Sequence, residues 1–154
     1  DVRVAIRDFA EAYKGQISLA DCALAKHRDE IDRIFVGNNL HQIVARLDQD
    51  QSEFAQATRA TMNKRSPLLM AVTLEQLRRC RSLSVADCLR IERTMVRHCF
   101  KHGEVLEGVR ALVVDKDNAP RWSPASVAEV DADLVQTFFA EVWPAYAHPL
   151  AHLN

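Results

Sequence analysis

The sequence predicts an all-α fold, and three observations carry that prediction. Apolar residues return every three or four positions through most of the chain, capping residues precede several of these stretches, and no apolar/polar alternation persists long enough to build a sheet. The 154 residues are expected to form a single helical region, 1–154.

The first stripe is Val2, Ala5, Ile6, Phe9, Ala12 and Tyr13, ended by Gly15. A second helix is expected from Leu24 to Phe35, with Leu24, His27, Ile31, Ile34 and Phe35 on one side, stopped by Gly37 and followed by Asn38 as a cap. Leu40, Ile43, Val44 and Leu47 mark a third. Ser52 followed by Glu53 opens a fourth, because a serine hydroxyl accepts the free amides of a first turn and an early carboxylate suits the helix dipole. Ser66-Pro67 is the clearest punctuation, since proline fixes the backbone for a first helical turn and gives up only an amide that had no partner there. The helix it starts is expected to turn Leu69, Met70, Val72, Thr73, Leu74 and Leu77 to a core and Glu75, Arg78, Arg79 and Arg81 to water.

Ser84 with Asp87 three residues on resembles a capping box, and Val85, Cys88, Leu89, Ile91, Met95, Val96 and Cys99 carry a long helix to Gly103. Glu104 to Val114 comes next. Its end, Ala111, Leu112, Val113 and Val114, is apolar on every side and is expected to need neighbours all round. Asp115 to Pro124 reads as a polar, proline-punctuated loop, and Asp131, Leu134, Val135, Phe138 and Phe139 as a last short helix.

Composition narrows the function classes. The chain is 48% apolar and 27% charged with four glycines and five prolines, which excludes collagen, low-complexity linkers and disulfide miniproteins. Twenty basic against twenty-one acidic residues give none of the positive bias that nucleic-acid binding draws on, so no nucleic-acid partner is expected. No apolar run approaches the length needed to span a bilayer, and the first residues lack the basic start and apolar stretch of a signal peptide, so no membrane partner is expected either. Cys22, Cys80, Cys88 and Cys99 form no C-x-x-C pair and read as buried free thiols in a reducing compartment. A start at Asp1, amphipathic at once, reads as a piece of a longer polypeptide.

Candidate chemistry is sparse. His98 and His102, four apart on one face, have a zinc-ligand spacing but no third ligand nearby. Asp115, Asp117 and Asn118 resemble part of a calcium loop without its glycine and closing glutamate. Cys99 beside His98 points about 100° away from it on a helix and is no nucleophile–base pair. Glu92, Glu104 and Glu107 would serve as general bases only if burial raised their proton affinity. Arg78, Arg79 and Arg81 read as a solvated face. No catalytic or metal residue is therefore assigned, no cofactor-binding residue is known, and no cofactor is expected.

Glu107-Gly108-Val109-Arg110-Ala111, followed by Asp115-Lys116-Asp117, Pro120, Trp122 and Pro124, resembles the carboxy-terminal signature of the 3-hydroxyisobutyryl-CoA hydrolases, within the crotonase superfamily. The likeness runs back through the Glu92 helix, Gln76-Leu77, Thr73-Leu74 and Ser66-Pro67 to the stretch His27 to Phe35. Leu68, Leu69 and Ala71 depart from the small hydroxylated and basic residues usual at that turn. The resemblance implies the helical C-terminal region of a crotonase-type enzyme that hydrolyses an acyl-CoA thioester in valine breakdown. The strand and helix core would be missing, together with its oxyanion amides and catalytic carboxylates. It further implies acyl-CoA as substrate through that core, self-association or packing on the core, and a bacterial cytoplasm or mitochondrial matrix as location. Within the loop, Lys116, Arg121 and Trp122 would be the groups to approach CoA phosphates or adenine, the alternative being Trp122 as a packing anchor among solvated charges. The segment alone is expected to be inactive. Two other readings remain: a noncatalytic structural or interaction protein derived from this family, and an enoyl-CoA hydratase or isomerase.

Overall fold

The computed structural model of the chain describes residues 1–16, 18 and 22–153, and all regular structure among these is helical. The all-α expectation holds for them. Contacts divide the chain into two compact units, Asp1–Val36 and Gly37–Asn154, and each is taken by itself.

In the first unit, α1 spans Val2–Tyr13, its first turn capped by Asp1, whose carboxylate accepts from the Arg3 amide at 2.9 Å. A short 3-10 turn, Lys14–Gln16, holds Gly15 and closes it. Val2, Ile6, Phe9 and Tyr13 line up as the sequence requires, yet all are exposed. The expected Leu24–Phe35 helix is in fact two, α2 (Ala23–Lys26) and α3 (Arg28–Ile34). The chain leaves helical geometry at His27, whose imidazole Nδ1 lies 2.6 Å from Glu30 Oε2, and α3 begins afresh with Asp29 and Glu30 in its dipole-favoured first turn.

The second unit contains α4 (Leu40–Gln49), α5 (Glu53–Met62), α6 (Pro67–Cys80), α7 (Val85–His102), α8 (Glu104–Val109) and α9 (Ala132–Thr137). The cap of α4 is Asn39 rather than Asn38. Asn39 Oδ1 accepts from the Gln42 amide (2.9 Å) while Gln42 Oε1 accepts from the Asn38 amide (2.7 Å), so both asparagines are used, one by side chain and one by backbone. Ser52, Ser66 and Ser84 cap α5, α6 and α7 as expected, each hydroxyl accepting from an amide three residues on. Gly103 ends α7 at φ +87°, a left-handed conformation that a side chain would strain.

Helix α6 is the hub, in contact with α4, α7 and α9. Leu68, Val72, Met95, Val135 and Phe138 form the buried core, with Leu69, Ile91, Leu134 and Phe139 packed around it. Complete burial of Leu68, Val72 and Phe138 contributes roughly 1.5–3 kcal/mol each. The inward face of α6 is turned relative to the sequence expectation. Leu68, absent from the expected set, is buried, whereas Thr73 is exposed and Leu77 is 65% exposed. The start of the helix sets this phase: with Ser66 and Pro67 buried, positions 68 and 72 point inward, and Leu77, five residues on, falls about 140° around the helix. On α7, Leu89 and Val96 are likewise exposed.

Candidate functional site

The residues that carry the sequence signature occupy α8, a π-helical turn over Arg110–Val114, and the irregular stretch to Pro124. The wide turn closes with the Asp115 amide donating to the Arg110 carbonyl (2.8 Å), and the Asn118 amide then donates to Ala111 O (3.0 Å). Lys116 and Asn118 take left-handed φ values of 56° and 52°, so the chain doubles back over α8.

Arg110 organises this return. Its Nε and Nη2 grip both oxygens of Glu107 at 2.9 and 2.8 Å, Nη1 reaches Asp115 (2.5 Å) and Asp117 (2.8 Å), and Nη2 also donates to the Ala119 carbonyl (3.1 Å). A planar fork with five donors suits this task; a lysine would not. The loop's carboxylates, a partial match to a calcium loop in the sequence, are thus occupied by a guanidinium. Glu107 also accepts from the Arg121 amide at 2.6 Å. Arg110 and then that amide hold the Glu107 carboxyl at about 2, and Arg110 with the Ala119 amide lowers Asp117. A carboxylate so acidified is a poor general base near neutrality.

Glu104, a second general-base candidate, is only 3% exposed. It accepts the Ser66 hydroxyl on Oε2 and the Ser123 amide on Oε1 (3.1 Å), joining the start of α6 to the far end of the loop. Glu92, the third candidate, accepts from Gln76 Nε2 at 3.0 Å and bridges α7 to α6. All three carboxylates are engaged in holding elements together.

Trp122 lies over Gly108. A Cβ there would stand 3.3 Å from the indole Cη2, so the glycine of the signature makes room for the ring. With Glu107 and Glu104 holding the amides on either side of it, and its Nε1 buried without a hydrogen-bond partner, Trp122 is placed as a packing anchor. Ala111 is buried beneath the turn, but Leu112, Val113 and Val114 are 57–68% exposed. Their expected neighbours are not supplied by the described residues.

The remaining sequence candidates are dispersed. His98 Nε2 donates to the Ala140 carbonyl at 3.0 Å, and the His102 ring stacks on Phe138 with centroids 4.7 Å apart, so both imidazoles brace α9. Among the described residues no three His, Cys, Asp or Glu side chains are grouped to hold a metal ion. Of the arginine trio expected to be solvated, Arg78 donates to Gly37 O (2.9 Å), and Arg79 pairs with Glu75 and lies 4.0 Å over the Phe139 ring. Cys22 is exposed and the other three cysteines half-buried, which corrects the fully buried expectation; Cys22 stands ahead of the short α2 rather than within a packed face. Sequence reasoning missed a cleft of about 440 Å³ between α7 and residues 139–151, walled by Arg79, Arg90, Ile91, Phe139, Trp143 and His148. Arg90 donates to the carbonyls of Leu150 and Leu153 to hold that wall. Residues 139–151 carry no periodic signal that would have revealed it.

Comparison with known proteins finds relatives in sequence and in structure. A family model described as enoyl-CoA hydratase/isomerase matches residues 1–139. The mitochondrial 3-hydroxyisobutyryl-CoA hydrolase of Gallus gallus is 35% identical over 137 residues, covering 87% of this chain and 36% of that protein. The corresponding protein of Dictyostelium discoideum is 38% identical over 112 residues, 71% of this chain and 29% of that one. Among solved structures, a carnitinyl-CoA dehydratase from Mycobacterium thermoresistibile superposes with a TM-score of 0.77 at 33% identity, covering 93% of this chain and 42% of that one. An enoyl-CoA hydratase from Rhodobacter sphaeroides 2.4.1 gives 0.73 at 31%, with 91% and 43% covered. The chain spans about a third of the length of the curated relatives it matches.

Proposed function

The chain belongs to the enoyl-CoA hydratase/isomerase family, and from that premise we propose that it is the C-terminal helical region of a 3-hydroxyisobutyryl-CoA hydrolase acting in valine breakdown. Residues 1–154 are taken as one such region, and acyl-CoA as the substrate of the whole protein. The observation that carries the reading is the state of the signature itself: every carboxylate of Glu104, Glu107, Asp115 and Asp117 is held by a partner within the fold. Nothing there is left to attack a thioester or move its proton. The signature's work is architectural, and the reacting groups are assigned to a core outside these residues.

The exposed apolar residues Leu106, Val109, Leu112, Val113 and Val114 support packing on that core, because apolar surface of this kind is costly to leave in water. The bacterial cytoplasm and the mitochondrial matrix are the compartments this reading fits, and the curated relatives are named as mitochondrial. Among the described residues no helix is long and apolar enough to cross a membrane. A second reading, an enoyl-CoA hydratase or isomerase, is favoured by the description of the matching family model and by the name of the Rhodobacter sphaeroides structure.

The test is to express both the complete reading frame and the chain of residues 1–154, supply each with 3-hydroxyisobutyryl-CoA, and follow release of the free thiol of coenzyme A. The longer protein is expected to release it catalytically and the chain alone not at all. Turnover by the chain alone would overturn the assignment of the reacting groups. Hydration of a 2-enoyl-CoA without hydrolysis would favour the second reading, and inertness of both proteins toward either thioester would favour a noncatalytic structural role.

A further inference from the structure

Helices α6 and α7 form a hairpin joined by residues 81–84, and their facing residues keep step. Gln76 on α6 donates to Glu92 on α7 at 3.0 Å. Four residues later on α6 and four earlier on α7, at the closed end of the hairpin, Cys80 meets Cys88. The Cys88 thiol lies 3.7 Å from the Cys80 carbonyl oxygen, a weak S–H contact that sets the two cysteines side by side. Both cysteines are half-buried, within reach of a small solute.

We propose that Cys80 and Cys88 are a redox pair that closes to an intrachain disulfide across the α6–α7 turn when the protein meets a small-molecule disulfide. Two features support closure here rather than elsewhere. The pair lies beside the turn, where one helix is ending and the other beginning, so backbone can shift without disturbing the Leu68, Val72 and Met95 core. Cys99, by contrast, packs against that core, and Cys22 belongs to the other unit of the chain.

The chemistry balances as two successive exchanges. The Cys88 thiolate attacks one sulfur of the reagent RS–SR, forming Cys88–S–S–R and releasing RS⁻. The Cys80 thiolate then attacks the Cys88 sulfur, forming Cys80–S–S–Cys88 and expelling the second RS⁻. Two protein thiols lose two electrons, the reagent disulfide gains them, and the two thiol protons end on two RSH. Burial first, then contact with Cys88 and the nearby Glu92 carboxylate, pushes the Cys80 thiol up. The closing step, which needs the Cys80 thiolate, is therefore slow near neutrality and accelerates as pH rises.

The experiment treats the chain carrying Cys22→Ser with glutathione disulfide at mildly alkaline pH, blocks remaining thiols with iodoacetamide and digests with trypsin. The expected product joins the dipeptide Cys80-Arg81 to the peptide Ser82–Arg90, leaves Cys99 alkylated, and raises the thermal midpoint by several degrees, reversibly with dithiothreitol. Cys80→Ser is expected to abolish the cross-link and leave a glutathione adduct on Cys88. Adducts that persist on Cys80 or Cys88 of the parent chain without the joined peptide, or a disulfide between two chains, would overturn the proposal.

Discussion

Replacing Glu104 by alanine removes the acceptor for two donors that lie about forty and twenty residues away along the chain, the Ser66 hydroxyl and the Ser123 amide. Each hydrogen bond to a charged acceptor contributes roughly 1.5–3 kcal/mol, and losing the acceptor also strands a donor on Ser66, which is 5% exposed. Relief of the cost of burying the carboxylate offsets part of this, so the expected net loss is about 2–4 kcal/mol. Glu104→Gln is expected to lose less, because its amide oxygen still accepts from the Ser123 amide. Ser66→Ala removes the α6 cap as well, worth about 1 kcal/mol. Urea unfolding followed by helical circular dichroism measures all three variants and the double mutant Ser66→Ala/Glu104→Ala. The tie requires a coupling of about 1–3 kcal/mol between the two sites. Strict additivity, with unchanged dependence on urea, would refute the tie between α6 and the loop.

Three further outcomes follow from the same region. Gly108→Val adds branched carbon where even a single added Cβ would stand 3.3 Å from the Trp122 ring. It is expected to cost about 1–3 kcal/mol and to shift Trp122 emission to the red, read in a Trp143→Phe background. Gly108→Ala is expected to change stability by less than about 1 kcal/mol, because the gain in helix propensity offsets mild crowding. The Glu107 carboxyl, ordinarily near 4.5, is held at about 2 in the fold. Since folding lowers it, its stabilisation is present above pH 4.5 and is lost as pH falls through 2. Thermal midpoints against pH should therefore decline over that window in the parent chain and less steeply in Glu107→Gln; equal slopes would contradict the pairing with Arg110.

Much of the helical layout was legible because its signals are local. Ser52, Ser66 and Ser84 cap the helices they precede, and Gly103 ends α7, since capping depends on neighbours three residues away. Phase was less legible. Leu68 and Leu77 are the same residue type on one helix, and only the buried start of α6 decides which of them faces inward. The break at His27 coincides with its side chain meeting Glu30, a polar contact that apolar spacing does not record. The signature was visible as a string, but its meaning was not: nothing in the order of Glu107, Arg110, Asp115 and Asp117 announces that one guanidinium gathers three carboxylates. The cleft beside Trp143 was invisible because carbonyls at Leu150 and Leu153, present at every position of any chain, supply the contacts that close it.

The position of Arg110 also governs what the loop would become without it. Take the guanidinium away and Glu107, Asp115 and Asp117 lose the one counter-charge they share. Arg110→Ala is accordingly expected to loosen residues 115–122, read as faster amide exchange there that slows when ionic strength is raised with sodium chloride. The native chain, which carries its counter-charge covalently, should exchange slowly there at either ionic strength.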